Sequence, residues 1–204
     1  MHKRTIKTSA HCDERRFGKH RFEHWYVDNQ VYFITARCRD RFAAFASEEA
    51  KAVFWDRFEH WTRECCFVPW IASLLDNHYH LLGYNRTADE LKRMMQRFHG
   101  SVAKLVNDVL PERRADFWRD TEGREFFDGC IRDTKQCRLA YRYVWTQCCR
   151  HGACDEPTEY PHTRVWIECE RGAQRALELE AFMERVPYQR YERRKKNGRG
   201  RDGR

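Results

Sequence analysis

With 204 residues, the chain is long enough for one core without covalent staples, and its 39 Lys and Arg against 31 Asp and Glu give a net charge of +8. No window approaches the roughly eighteen apolar residues of a membrane helix, and the basic start MHKRTIKTSAHCDERRF has no apolar run behind it, so neither a membrane span nor a secretory signal is readable and a cytoplasmic protein is expected. Ten cysteines, at 12, 38, 65, 66, 130, 137, 148, 149, 154 and 169, include two adjacent pairs but no CxxC, a pattern that predicts reduced thiols over a disulfide framework.

In chain order, VYFITARC at 31–38 is rich in β-branched and aromatic residues and predicts a strand. Ser47 then caps an amphipathic helix with apolar residues at 50, 53, 54, 58 and 61. Residues 67–75 and 79–84 read as two further strands, or one long bent one, with the break near Asp76 and Asn77. Thr87 caps a second helix, apolar at 91, 94, 95, 98, 102, 105 and 106, in which Gly100 is a soft spot. REFFDGCIR at 124–132 predicts a short strand, and Asp133 caps a third helix from about Thr134 to the stop at Gly152. A small strand and a last amphipathic helix precede Pro187. This order predicts an α+β fold, an antiparallel sheet covered by helices in a ferredoxin-like, split-βαβ arrangement. There is no repeat and no glycine-rich nucleotide loop, which removes nucleoside-triphosphate chemistry.

The charge sits at the ends. Residues 185–204 hold nine Lys and Arg against two acids and residues 1–24 seven against three, while the stretch between holds 23 basic and 26 acidic residues. The terminal RRKKNGRGRDGR is too polar to build a core; its basic run, Arg193, Arg194, Lys195 and Lys196, suits sequence-independent phosphate contact, a solubilising tail being the plainer use.

Chemistry concentrates in LLDNHYHLL at 74–82. Successive residues of a strand alternate faces, so His78 and His80 point to one side and Tyr79 and Leu81 to the other. Either they are hydrogen-bonded strand histidines or they form a two-toothed metal ligand. Tyr143 and Gln147 in AYRYVWTQCC lie four apart, on one face of a helix. If that face looks at the histidine strand, a phenol and an amide join two imidazoles around a divalent ion with open positions. A phosphodiester bound there has an oxygen polarised beside a nucleophile, and a phosphotyrosine link keeps the ester available for rejoining.

These residues resemble the single-tyrosine HUH transposases, that is, the IS200-like transposases and the REP-associated tyrosine transposases. DNHYHLL is similar to the family's histidine–hydrophobic–histidine strand, and FWRDTEGREFFDGCIRDTKQCRLAYRYVWTQ to its passage from an aromatic turn through IRD into the tyrosine helix; the resemblance spans residues 32–152. It implies cleavage of single-stranded DNA beside a hairpin, a 5′-phosphotyrosine and a free 3′-hydroxyl, with Mg2+ or Mn2+ held by His78, His80 and Gln147 and with Tyr143 as nucleophile. Tyr141, six residues from Gln147, falls about 120° around the helix from it, on a different face. Family members commonly have asparagine and proline where this chain has Gln147 and Cys148. The family works as monomers or homodimers. The implied organisation is a basic extension at 1–24, a catalytic domain at 25–155, a strand and helix at 156–186 and a basic tail at 187–204. A catalytically silent DNA- or RNA-binding descendant is the alternative. Lys135, Arg138 and Arg142 stand at helical spacing, either tracking phosphates or forming a solvated face, and Trp118, Phe126 and Phe127 are expected to pack more than to stack on bases. CCRHGAC at 148–154 and HCDERRFGKHRFEH at 11–24 offer thiols and imidazoles to zinc, without a recognised finger spacing.

Overall fold

A computed structural model describes residues 27–119 and 125–185. The predicted tail contacts at Arg193, Arg194, Lys195 and Lys196, and the thiol–imidazole stretch at 11–24, lie outside the described residues. Five strands, β1 (Gln30–Arg37), β2 (Val68–Leu75), β3 (His78–Asn85), β4 (Phe127–Cys130) and β5 (Thr163–Val165), form one sheet in the order β4-β1-β3-β2-β5, every neighbouring pair antiparallel. β1 and β2 are therefore parallel with β3 between them. That is the split-βαβ connectivity, with α1 (Glu48–Glu64) and α2 (Ala88–Val109) as the crossovers. The break near Asp76 and Asn77 is the tight turn between β2 and β3.

Both crossover helices begin where their caps dictate. Ser47 Oγ accepts the Ala50 N–H at 3.2 Å, and Thr87 Oγ1 accepts the Glu90 N–H at 3.3 Å. α1 buries Ala50, Phe54, Trp55 and Phe58, while α2 buries Leu91, Met94, Met95, Phe98, Val102 and Val106, continuing through Gly100 without interruption. These side chains pack on one face of the sheet, against Tyr32, Ile34, Tyr79 and Leu81. Alternation sends Val31 and Leu82 to the other face, where they meet Tyr141 and Val144 of α3 (Thr134–Trp145) and Ala176 of α5 (Cys169–Arg185). Full burial of each large side chain contributes about 1.5–3 kcal/mol, so the two-faced pattern pins the strand register. His78 and His80 share the Leu82 side, facing α3.

The third helix differs from its sequence expectation. Instead of one helix from Thr134 to Gly152 there are two, α3 and the four-residue α4 (Gln147–Arg150), parted at Thr146. The Thr146 hydroxyl and its N–H both donate to the Arg142 carbonyl at 3.0 Å, and back-bonding of this kind bends a helix. Trp118 and Phe126 belong to the core and Phe127 is half-buried.

Candidate active site

The β2–β3 turn prepares the first histidine. Asn77 Nδ2 donates to the Arg41 carbonyl at 3.1 Å, so its Oδ1 is the atom left to accept from His78 Nδ1, 2.6 Å away. His78 consequently carries its proton on Nδ1 and its lone pair on Nε2. Register places Thr35 of β1 opposite His80, and Thr35 Oγ1 lies 2.7 Å from His80 Nδ1. Both Nε2 atoms are buried and have no hydrogen-bond partner among the described residues.

Burial and the neighbouring charges of His151 and Arg37 push the His78 imidazole down to about 4, and burial with the His78 charge pushes His80 well below its ordinary value. Both rings are neutral at pH 7, the form in which imidazole binds metal. The rings stand 5.0 Å apart, and Nδ1 of each is held by a fixed oxygen. Two buried ring nitrogens without a partner among the described residues fit a divalent cation, since each left unmet costs about 1–3 kcal/mol and outer hydrogen bonds to Nδ1 align metal-bound imidazoles.

α3 delivers the phenol. Asp133 Oδ1 accepts the Gln136 N–H at 2.7 Å and so starts the helix, from which Tyr141 and Tyr143 diverge. Tyr141 is buried against the sheet, and burial raises its phenol far above the usual value. Tyr143 is 38% exposed, and its ring meets His80 edge-on with centroids 5.1 Å apart. Phe33 stacks on His80 with centroids 5.8 Å apart and meets Tyr143 edge-on at 5.7 Å, so the three rings form one cluster, and the Arg150 guanidinium sits 5.1 Å over the Tyr143 ring. Arg37 is the register partner of His78, and His151 lies 4.8 Å from the His78 ring. A groove of about 250 Å³, lined by Phe33, Phe127, Ile131, Leu139 and Tyr143, opens beside the phenol.

His78, His80 and Tyr143 are thus brought together. Gln147 is buried at the start of α4, past the Thr146 break, and its main-chain carbonyl accepts the N–H of His151, the residue whose ring neighbours His78, at 3.0 Å. Arg138 is held in a two-pronged pair by Glu170, at 2.9 and 3.3 Å, whereas Lys135 and Arg142 are exposed. Sequence reasoning missed Asn77, Thr35, Phe33, Arg37, Arg150 and His151. Arg150 had a signal, since seven residues after Tyr143 returns to the same helical face. The β1 residues had none, because only register brings them to His78 and His80.

No family model matches the sequence, and no curated protein matches it. Among solved structures, a REP-associated tyrosine transposase bound to a REP hairpin is similar over 71% of this chain and 81% of its own, at 16% identity and a TM-score of 0.58. A provisionally assigned transposase from Deinococcus radiodurans R1 is similar over 63% of this chain and 98% of its own, at 12% identity and a TM-score of 0.42. The chain therefore has the fold of a REP-associated tyrosine transposase.

Proposed function

We propose that the chain is a transposase of the single-tyrosine kind, which cuts and rejoins single-stranded DNA beside a hairpin through Tyr143. The observation that carries this reading is the solvent-reaching Tyr143 ring, 5.1 Å from a histidine whose Nε2 is buried and, among the described residues, unpaired beside a second such nitrogen. His78 Nε2 and His80 Nε2, with Gln147 as third ligand, would hold Mg2+ or Mn2+. When bound, the ion polarises a phosphate oxygen and offsets its charge.

The protein's own groups do the rest. Arg37 and Arg150 attract the phosphodiester, and the apolar groove with Phe33 and Leu139 takes the faces of flanking bases. Tyr143 Oη attacks phosphorus: a bond from the phenolic oxygen to phosphorus forms and the bond from phosphorus to the 3′-oxygen breaks. The phenolic proton leaves to solvent and the 3′-oxygen takes one up. Attack by a 3′-hydroxyl reverses each change and frees the tyrosine, so the strand is transferred without loss of the ester.

The test is a hairpin-bearing single strand incubated with the protein and Mn2+, followed by a denaturing gel. A covalent adduct is expected for the wild type and for Tyr141→Phe, and none for Tyr143→Phe. An adduct that persists in Tyr143→Phe overturns the assignment of the nucleophile. Hairpin binding by the wild type with no adduct at all favours a catalytically silent DNA-binding protein.

A further inference from the structure

A second cluster lies beyond the tyrosine helix. Cys148 and Cys149 end up beside Cys154 because α4 closes in a six-residue turn: the Ala153 N–H donates to the Cys148 carbonyl at 2.9 Å and the Gly152 N–H to the Cys149 carbonyl at 3.0 Å. Gly152 takes φ 69°, a conformation that suits glycine. The turn reverses the chain and returns Cys154 to the two thiols it has just left. Cys149 Sγ is 3.9 Å from Cys148 Sγ and 3.6 Å from Cys154 Sγ, and all three sulfurs lie within 4.8 Å of one another.

These spacings carry chemical information. Sulfurs about 2.3 Å from a tetrahedral zinc ion stand roughly 3.8 Å apart, close to both measured separations. Cys148 is buried while Cys149 and Cys154 are half-buried, so an ion has a path in and the sulfurs have little freedom to scatter. Glu156 lies near enough for its charge to bear on Cys149, which adds to a negative field that a cation relieves. The thiol set differs in kind from the histidine pair: thiolates select zinc-like ions, and imidazole with oxygen donors admits harder ones.

We propose that Cys148, Cys149 and Cys154 bind one thiophilic divalent cation of the zinc class, with solvent at the fourth position, as a site separate from the histidine pair. The site would tie Gln147, which precedes the three thiols, and His151, which lies between Cys149 and Cys154, to the loop that leads to β5. It does not depend on the DNA chemistry proposed above. The ligand spacing escapes a finger pattern because a helix cap, not a knuckle, gathers the thiols.

The test loads metal-free full-length protein with Co2+, whose thiolate complexes show intense sulfur-to-metal charge-transfer bands. One equivalent per chain should produce those bands in the wild type and in the double variant His78→Ala/His80→Ala, and Cys149→Ser/Cys154→Ser should lose them. On unaltered, zinc-loaded protein, titration with a mercurial thiol reagent should release one equivalent of zinc, which keeps the test independent of how the variants fold. Absence of charge-transfer bands in the wild type, their survival in the cysteine variant, or zinc retained after the thiols are blocked would each overturn the proposal.

Discussion

Because the Asn77 amide is anchored by the Arg41 carbonyl, the tautomer of His78 is set by a residue that need not touch metal or substrate. Asn77→Ala frees the ring to turn and to carry its proton on either nitrogen. Mn2+ affinity should fall by about 10–100-fold, as expected for loss of an outer hydrogen bond to a ligand, and Asn77→Asp, which keeps an acceptor, should recover most of it. Titration calorimetry of the two variants checks this, and equal affinity for the alanine variant and the wild type would show the amide to be irrelevant to the metal. At the same scale, replacing both His78 and His80 with Ala should abolish the adduct yet leave hairpin affinity within a few-fold, because phosphate contacts elsewhere supply most of the binding. Parallel loss of both in a gel-shift assay would make the histidines structural.

Two elements hold the site in place. α3 starts at the Asp133 cap, and the Gln136 Oε1 atom accepts the Arg132 N–H at 3.0 Å, so the turn before the tyrosine helix is bonded in both directions. Asp133→Ala should cost about 1 kcal/mol in urea denaturation, with slower adduct formation as the position of Tyr143 loosens. The strand pair β2–β3 depends on Gly83, which pairs with Pro69 where the register of β2 shifts. A Cβ at Gly83 would lie 2.5 Å from the Phe67 ring and 2.7 Å from the Val68 carbonyl oxygen, and Phe67 is buried. Gly83→Ala should therefore destabilise the fold by about 1–3 kcal/mol, read as a lower urea midpoint at unchanged slope. An unshifted midpoint would mean that the strands separate there at no cost.

At the scale of the whole molecule, Tyr143 stands beside the His80 of its own chain, so one chain supplies both halves of the candidate site. An equal mixture of Tyr143→Phe and His78→Ala/His80→Ala protein should then form no adduct, and recovery of the adduct would reveal exchange of the tyrosine helix between chains. The basic end belongs to the same scale. Residues 186–204 hold eight Lys and Arg against two acids. Removing them should weaken DNA binding at low salt and flatten its salt dependence while hairpin preference changes little, since phosphate contacts release counterions without reading bases. A truncation that erased hairpin preference but kept the salt slope would contradict this.

What the sequence determined by itself is what acts within a turn or a strand. Period two puts His78 and His80 on one face whatever lies opposite; Ser47, Thr87 and Asp133 start their helices through bonds only three residues long; Gly152 stops one by accepting a positive φ. Interactions across the sheet were decided only by tertiary structure. Thr35 and Arg37 meet His80 and His78 because β1 pairs with β3 in one register, and a slip of one residue would turn them to the opposite face. Burial of both Nε2 atoms requires α3 to cover that face, and the gathering of Cys149 and Cys154 requires the chain to reverse after α4. The predicted single helix failed at Thr146 because propensity and periodicity count side chains around an ideal helix, and they do not register a hydroxyl competing for the Arg142 carbonyl.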